Sequence, residues 1–299
     1  MSSWASSRSG GVTSSVPASV KIWGCRGSLP TPGPTTVTYG GNTSCIELEA
    51  GDEEALVFDA GTGIRELGRD LLERGTRRIH LFLTHLHLDH VEGLRFFAPL
   101  WDRRVSIEIW GPRSPVLPLR ERILRAFSPP LFPLDLRDVP ARITFHDLPG
   151  EPWKRDGISL FSDLVLHPGP TLGYRVEIGG SSLAYLPDHE PALVGIDGRS
   201  IDWISGSALA QGADVLLHDA QYTEEEYGPK IGWGHSTIDA AVAFSRVVDA
   251  RRLVLFHHDP DRSDRELESL EDRARSLAPP EMLPPVLAQE GMTIDLASP

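Results

Sequence analysis

The chain has few cysteines, no long apolar run and no excess of basic residues. Its 299 residues include only two cysteines, Cys25 and Cys45, which form neither a disulfide framework nor a Cys-x-x-Cys pair. No run of eighteen apolar residues occurs, so we expect no membrane-spanning helix. The net charge of −13 argues against general nucleic-acid binding, because polyanions select basic surfaces. These absences favour a globular protein in a reducing compartment, and we expect a cytoplasmic location.

The domain organisation is predicted from the distribution of Ser, Gly and Pro. Residues 1–19 are rich in Ser and Gly and lack the apolar segment of a signal peptide, so we expect a disordered tail there. The remainder, 20–299, is predicted to be a single domain, since 40% of the chain is hydrophobic and can form a sizeable core. A proline-rich stretch at about 112–142 is predicted to be an insertion that serves as a lid or an interface.

The densest cluster of chemically active side chains is Thr-His-Leu-His-Leu-Asp-His at residues 84–90. It follows an apolar run that predicts a buried strand, and sites on α/β scaffolds usually lie at the C-terminal edges of strands. Imidazole and carboxylate are ligands that suit Zn²⁺ and its transition-metal neighbours. The alternating histidines can reach one ion, whereas Asp89 and His90 face elsewhere and can hold a second. A polar loop that is merely rich in histidine is the alternative, and four candidate ligands in six residues argue against it.

Three further candidate ligands each follow an apolar, strand-like run. They are His167 after residues 159–166, Asp188 after 182–187, and His257 after 253–256. A lone histidine after a strand is more often a structural residue than a ligand. These positions therefore support a metal site only when they are considered together.

Together these motifs resemble the metallo-β-lactamase family. The family's His-x-His-x-Asp-His signature and its later His, Asp and His ligands match, in order, His85, His87, Asp89, His90, His167, Asp188 and His257. The resemblance covers about residues 20–296 and implies an α/β fold of layered type, an αββα sandwich. It also implies two divalent metal ions, expected to be Zn with Mn or Fe as alternatives. One would be held by His85, His87 and His167 and the other by Asp89, His90 and His257, with Asp188 bridging.

Two further segments resemble the phosphodiesterase branch of this family, which includes ribonuclease Z and related cyclic-nucleotide phosphodiesterases. Gly234-His235-Ser236-Thr237 matches a Gly-His-Ser-Thr segment that supplies a catalytic histidine in that branch. His235 is therefore the implied acid for the leaving group. Asp219 stands where the branch usually has Glu and is the implied partner of His235. His218 beside it is expected to be structural.

Supporting roles are implied for three more residues. Asp59 resembles the family's buried aspartate beside the metal loop, which fixes ligand orientation, and Thr84 is expected to act in the same way. Asn42 lies in a Gly-rich turn that the family brings near the phosphate, although a plain turn role is the alternative. Asp89 is also expected to orient the attacking hydroxide.

The implied function is a dinuclear-metal hydrolase, foremost a phosphodiesterase that cleaves a small phosphodiester, such as a 3′,5′-cyclic nucleotide, with a metal-bridging hydroxide. The alternatives are a ribonuclease Z-like endonuclease that processes tRNA 3′ ends, a lactone, thioester or β-lactam hydrolase, and a non-catalytic metal-binding protein. The acidic charge and the lack of a basic arm in 192–210 favour a small substrate over tRNA. A lactonase would leave His235 and Asp219 without a role, and no ligand position has been lost. Because branch relatives are often homodimers, a homodimer is a further hypothesis.

Overall fold

The structure is a computed structural model that describes residues 18–49, 54–193, 196 and 200–298. Residues 1–17 of the predicted tail therefore lie outside the described residues. Two mixed sheets of seven strands each lie face to face, and helices cover both outer faces. This is the predicted αββα arrangement. None of the described helices has both the length and the apolar character needed to cross a bilayer.

The strands of the N-terminal half form one sheet, which the last strand of the chain also joins, and the other strands form the second sheet. In chain order, the helices and strands are β1 (Ser19–Gly24), β2 (Cys45–Glu49), β3 (Glu54–Phe58), α1 (Ile64–Glu73), β4 (Arg78–Phe82), β5 (Ser106–Pro112), α2 (Leu119–Ala126), β6 (Arg142–Leu148), β7 (Trp153–Arg155), β8 (Ile158–Leu164), β9 (Leu172–Ile178), β10 (Ser181–Leu186), α3 (Ser207–Ala210), β11 (Val215–Asp219), α4 (Glu224–Tyr227), α5 (Ile238–Val247), β12 (Arg252–Phe256), α6 (Asp264–Leu277), β13 (Val286–Leu287) and β14 (Thr293–Asp295).

Parallel strands in each sheet bring several carboxyl ends to a common edge. The first sheet has the order β14-β1-β2-β3-β4-β5-β6, in which β3 to β6 are parallel. The second has the order β13-β12-β11-β10-β9-β8-β7, in which β10 to β13 are parallel. Because side chains just after parallel strands meet at one edge, the loops that follow β4, β10, β11 and β12 can build a shared site.

The central core consists of apolar side chains that the two sheets turn toward each other. Phe58 of β3 stacks on Phe82 of β4, with ring centroids 5.3 Å apart. It also makes edge contacts with Tyr174 and Tyr185 of the opposite sheet, at 5.5 and 5.9 Å. All four rings are fully buried. Such aromatic pairs add to the hydrophobic stabilisation of the sandwich.

The proline-rich stretch at 112–142 joins β5 to β6 and carries α2. The helix occupies eight residues of this stretch, Leu119–Ala126. Leu119 and Ile123 are buried in the cluster that covers the outer face of the first sheet. This segment therefore contributes to the outer helical layer, and its role as a lid or an interface stays a prediction, as do the domain bounds 20–299.

Candidate dinuclear metal centre

The predicted ligands converge at the edge where the parallel strands end. They lie on four loops: His85, His87, Asp89 and His90 after β4, His167 after β8, Asp188 after β10 and His257 after β12. In two groups of these residues, each can offer one ligand atom within 4.8 Å of the others. The groups are His85, His87 and His167, and Asp89, His90, Asp188 and His257.

The first group contains three imidazoles. Nε2 of His167 lies 3.2 Å from Nδ1 of His87. Nε2 of His85 and Nε2 of His167 each lie 3.7 Å from Oδ2 of Asp188. His85 and His167 are buried, whereas His87 is exposed, so this group opens toward solvent on the His87 side.

The second group uses the other oxygen of Asp188. Oδ1 of Asp188 lies 2.9 Å from Nε2 of His90 and 3.3 Å from Nε2 of His257. Oδ2 of Asp89 lies 3.3 Å from Nε2 of His257 and 3.5 Å from Nε2 of His90. One oxygen of Asp188 thus faces each group, and the bridging role of the carboxylate stays a prediction.

Three buried polar atoms show that these residues fit divalent cations. Nε2 of His85, Nε2 of His90 and Oδ1 of Asp188 are buried and make no well-directed hydrogen bond among the described residues, although the last two lie 2.9 Å apart. Such atoms are costly unless they are satisfied by another group. Burial and the neighbouring His90 lower the pKa of His85, and burial lowers the pKa of His167. Both imidazoles are therefore in the neutral, metal-binding form at neutral pH, and a donor set without thiolate admits Zn²⁺, Mn²⁺ or Fe²⁺.

Asp59 and Thr84 orient the ligands at the end of β4. Nδ1 of His90 donates to Oδ2 of Asp59 at 2.9 Å. Asp59 also accepts from the Thr84 amide at 2.8 Å and from the Tyr185 hydroxyl at 3.0 Å. Thr84 Oγ1 lies 3.1 Å from Nδ1 of His85. A carboxylate that holds the second nitrogen of a histidine fixes its tautomer and ring orientation, so these contacts suit the supporting roles proposed for both residues.

The backbone near the second group is held in an uncommon conformation. Asp59 and His257 have φ values of 60° and 61°, a left-handed region that non-glycine residues adopt at a cost of roughly 1–3 kcal/mol. A Cβ atom on Gly27 would lie only 2.4 Å from Nδ1 of His257, so only glycine allows the chain to pass the imidazole there. The next residue, Ser28, donates its amide to Oδ2 of Asp89 at 2.7 Å.

His235 and Asp219 form a buried pair beside both groups. Nδ1 of His235 donates to Oδ2 of Asp219 at 2.6 Å. The His235 ring stacks on His257 at 4.9 Å and meets the edge of His167 at 5.0 Å between centroids. Burial disfavours the imidazolium, but Asp219, with Asp188 and Asp89 behind it, raises the pKa of His235 to about 9.

The shorter carboxylate of Asp219 is fixed by backbone amides. Oδ1 accepts from Ser236 at 3.0 Å and from Gln221 at 3.1 Å, and Oδ2 accepts from the His189 amide at 3.3 Å. The side chain is fully buried. With these partners, an Asp at this position reaches the histidine although the branch usually carries the longer Glu.

The chain matches a known protein family and, over most of its length, known relatives. Residues 55–258 match the β-lactamase superfamily domain. The chain belongs to this superfamily. A ribonuclease Z from Gemmatimonas aurantiaca is 28% identical over 328 aligned residues, which cover 94% of this chain and 97% of the relative. The predicted metallo-β-lactamase fold and metal-dependent hydrolase are thereby confirmed, as is the likeness to the ribonuclease Z branch.

Two solved structures share this fold. The human tRNase Z short form superposes with a TM-score of 0.62 at 22% identity and covers 93% of this chain and 99% of its own. A diphosphatase from the PhnP family gives a TM-score of 0.65 at 18% identity over 93% and 97% of the two chains.

Glu190 is a site residue that the superfamily motifs do not reveal. Its buried carboxylate accepts from the Gly232 amide at 3.0 Å, from the Gly234 amide at 2.9 Å, and from the hydroxyl of Tyr227. The Gly234 carbonyl in turn accepts from Nδ1 of His167 at 2.9 Å. Glu190 therefore supports the loop that orients a candidate ligand. Its position two residues after Asp188 was the one signal in the sequence.

The structure gives the contacts of two other residues with predicted roles, His218 and Asn42. His218 is fully buried, and its Nε2 lies 2.8 Å from Nδ1 of His189, in keeping with the structural role expected. Asn42 donates its side-chain amide to Glu290 at 2.9 Å. It therefore supports a loop in this structure, as the plain turn role expects, and a place near the phosphate stays a prediction.

Proposed function

We propose that the protein is a metal-dependent phosphodiesterase that hydrolyses a small nucleotide phosphodiester, such as a 3′,5′-cyclic nucleotide. The observation that carries this proposal is the 2.6 Å contact between His235 and Asp219, placed against His167 and His257. A thioester hydrolase has less need of a paired acid at this point, because its thiolate leaving group is a weaker base than an alkoxide.

The proposed reaction adds water to the phosphorus and releases an alcohol. Two divalent ions held by the two ligand groups would polarise the phosphoryl oxygens and lower the pKa of the attacking water. His235 gives its proton to the departing alkoxide, and Asp219 holds the ring in place and stabilises its charged form. Asp89, which accepts a hydrogen bond from the Ser28 amide, orients the attacking group in this proposal.

The charge near His235 favours a small substrate over RNA. His235 lines an open cavity of about 470 Å³, and Asp259 and Asp261 line the same cavity. The whole chain carries a net charge of −13. Both features repel the additional phosphates of a polynucleotide.

Processing of tRNA 3′ ends is the second candidate. It is supported by the Gemmatimonas aurantiaca ribonuclease Z, which aligns over 94% of this chain. The segment 192–210 carries Arg199 as its single basic residue in the sequence, so a basic RNA-binding arm is not encoded there. Residues 194, 195 and 197–199 of this segment lie outside the described part of the chain.

A single substitution tests the proposed acid. His235→Ala should lower turnover of a phosphodiester with a poor, alkoxide leaving group by about 10²- to 10⁴-fold, while both metal ions remain bound. His146→Ala is a matched control, because it removes a half-exposed imidazole that stacks on Trp110 outside the site. Turnover of a 3′,5′-cyclic nucleotide and metal content by mass spectrometry are the measurements, and unchanged turnover in the His235 variant would show that the acid is another group.

A substrate panel separates the candidates. Bis-p-nitrophenyl phosphate, several cyclic nucleotides, a precursor tRNA and a lactone should be compared with added Zn²⁺, Mn²⁺ or Fe²⁺. We expect hydrolysis of the small phosphodiesters, and activity confined to the lactone would overturn the proposal. Bound zinc, a homodimer and a cytoplasmic location stay predictions, and light scattering tests the oligomeric state.

A further inference from the structure

The cavity beside His235 has walls that no step of the proposed hydrolysis uses. Its lining residues include Trp233, Tyr222, Lys230, Asp259 and Asp261. A wall that lies next to the proposed acid is where the leaving part of a substrate would rest. The chemistry of these side chains therefore bears on what that leaving part is.

Trp233 presents an unusually open aromatic surface at this cavity. Its side chain is 59% exposed, although a tryptophan usually buries most of its large apolar area. Trp153 and Phe132, by contrast, are packed elsewhere. Trp153 meets Phe82 within the sandwich, with centroids 5.7 Å apart, and Phe132 meets Phe127 at 4.9 Å.

The loop that carries Trp233 is rigidly held. Gly232 and Gly234, which flank it, have φ values of 83° and 89°, and both amides donate to the buried carboxylate of Glu190. The Trp233 amide donates to the Lys230 carbonyl at 3.0 Å. An exposed ring on a clamped loop is preorganised for stacking, since little conformational freedom is lost when a ligand binds.

The charges around the ring favour an uncharged ligand. Apart from the imidazolium of His235, which serves as the proposed acid, Lys230 is the one cation among the lining residues that the structure describes, and its Nζ lies 3.9 Å from the centroid of the Tyr222 ring, where it is stabilised by the ring face. Asp259 and Asp261 add two carboxylates. Carboxylates accept hydrogen bonds from ribose hydroxyls but repel phosphates.

We propose that this cavity is a nucleoside subsite, in which the base stacks on Trp233 and the ribose hydroxyls face Asp259 and Asp261. The subsite rests on the proposed phosphodiesterase function and sharpens it, because it selects a nucleotide whose side away from the scissile phosphate carries no further phosphate. Tyr222 links the subsite to the acid, since its ring meets the edge of His235 at 5.8 Å between centroids.

Binding of adenosine 5′-monophosphate and of ribose 5-phosphate, which lacks the base, to the metal-loaded protein tests this proposal. Calorimetry should show Trp233→Ala weakening nucleotide binding by about 5- to 150-fold, as expected for loss of one base–aromatic stack, and leaving ribose 5-phosphate binding unchanged. Trp233→Phe should retain most of the affinity. Trp203→Ala is the matched control, because Trp203 is 81% exposed and lines a different cavity.

The outcomes distinguish the subsite from the function on which it rests. Equal effects of Trp233→Ala on both ligands, or none on either, would overturn the subsite. Hydrolysis of bis-p-nitrophenyl phosphate needs no nucleoside, so its absence would count against the phosphodiesterase. Quenching of tryptophan fluorescence by adenosine 5′-monophosphate that disappears only in the Trp233 variant would still support the subsite in that case.

Discussion

Substitution of Glu190 by Gln should weaken metal binding in one of the two ligand groups. The Glu190 carboxylate accepts from two glycine amides and from Tyr227, and the loop it holds orients His167 through the Gly234 carbonyl. Gln keeps the size of the side chain but replaces one acceptor oxygen with an NH₂ group. One donor on the loop then faces another donor, and the loop must shift.

The magnitude follows from the contacts that are lost. A buried hydrogen bond to a charged group contributes about 1.5–3 kcal/mol, so loss of one such contact to the carboxylate of Glu190 should lower the free energy of unfolding by that amount. Loss of a partner that orients a metal-binding histidine typically weakens the affinity for the metal about 10- to 100-fold. Because Glu190 acts through Gly234, we expect the lower end of this range at the group containing His167.

Competition with a chelator, fitted to two sites, measures this effect, and urea unfolding gives the stability. Glu47→Gln is the matched control. Glu47 is equally buried at 1% exposure, and its carboxylate pairs with Arg74 at 2.6 Å on the outer side of the first sheet. It should lose stability while both metal affinities stay unchanged. If Glu190→Gln behaves in the same way, Glu190 is only structural and the proposed coupling to His167 is wrong.

Three other substitutions give separate tests. Gly234→Ala should cause the loss of one bound metal ion, measured by mass spectrometry. Gly234 has a φ of 89°, and the new Cβ would lie 2.3 Å from Nδ1 of His167. Phe58→Ala should lower the free energy of unfolding by about 3–5 kcal/mol in urea titrations, because the ring is fully buried between the sheets. Burial lowers the pKa of His80 despite Glu108 and Glu54 nearby. As the pH falls through about 6.5, the imidazole of His80 therefore binds a proton in the unfolded chain before it does so in the folded protein. The free energy of unfolding decreases as a result. His80→Gln should remove that part of the decrease between pH 7.5 and 5.5.

The strands that carry the ligands were predictable from local sequence. Apolar runs before His85, His167 and His257 have the length and composition of buried strands, and the structure places β4, β8 and β12 there within two residues. The short strands β7, β13 and β14 were not predicted. Two or three residues carry too little periodicity, and such strands form only because a neighbouring strand offers hydrogen bonds.

The pairing of His235 with Asp219 was predicted from motif resemblance, but its geometry was not. The two residues are 16 positions apart, and nothing in the sequence shows that backbone amides would let an Asp take the place of the longer Glu. For Asn42, the contact itself could not be predicted. Its partner Glu290 lies 248 positions away, and no local pattern predicts such a contact.

The sequence alone determined the ligand types, their order and the strands that present them, because these depend on residues adjacent in the chain. The tertiary structure decided which oxygen of Asp188 faces which group. It also decided how Glu190 holds the loop behind His167 and which tryptophan borders the cavity. These features join loops that follow different strands, and their distances are set by how the two sheets pack. Packing depends on many weak contacts across the sandwich, which a linear pattern of residues does not record.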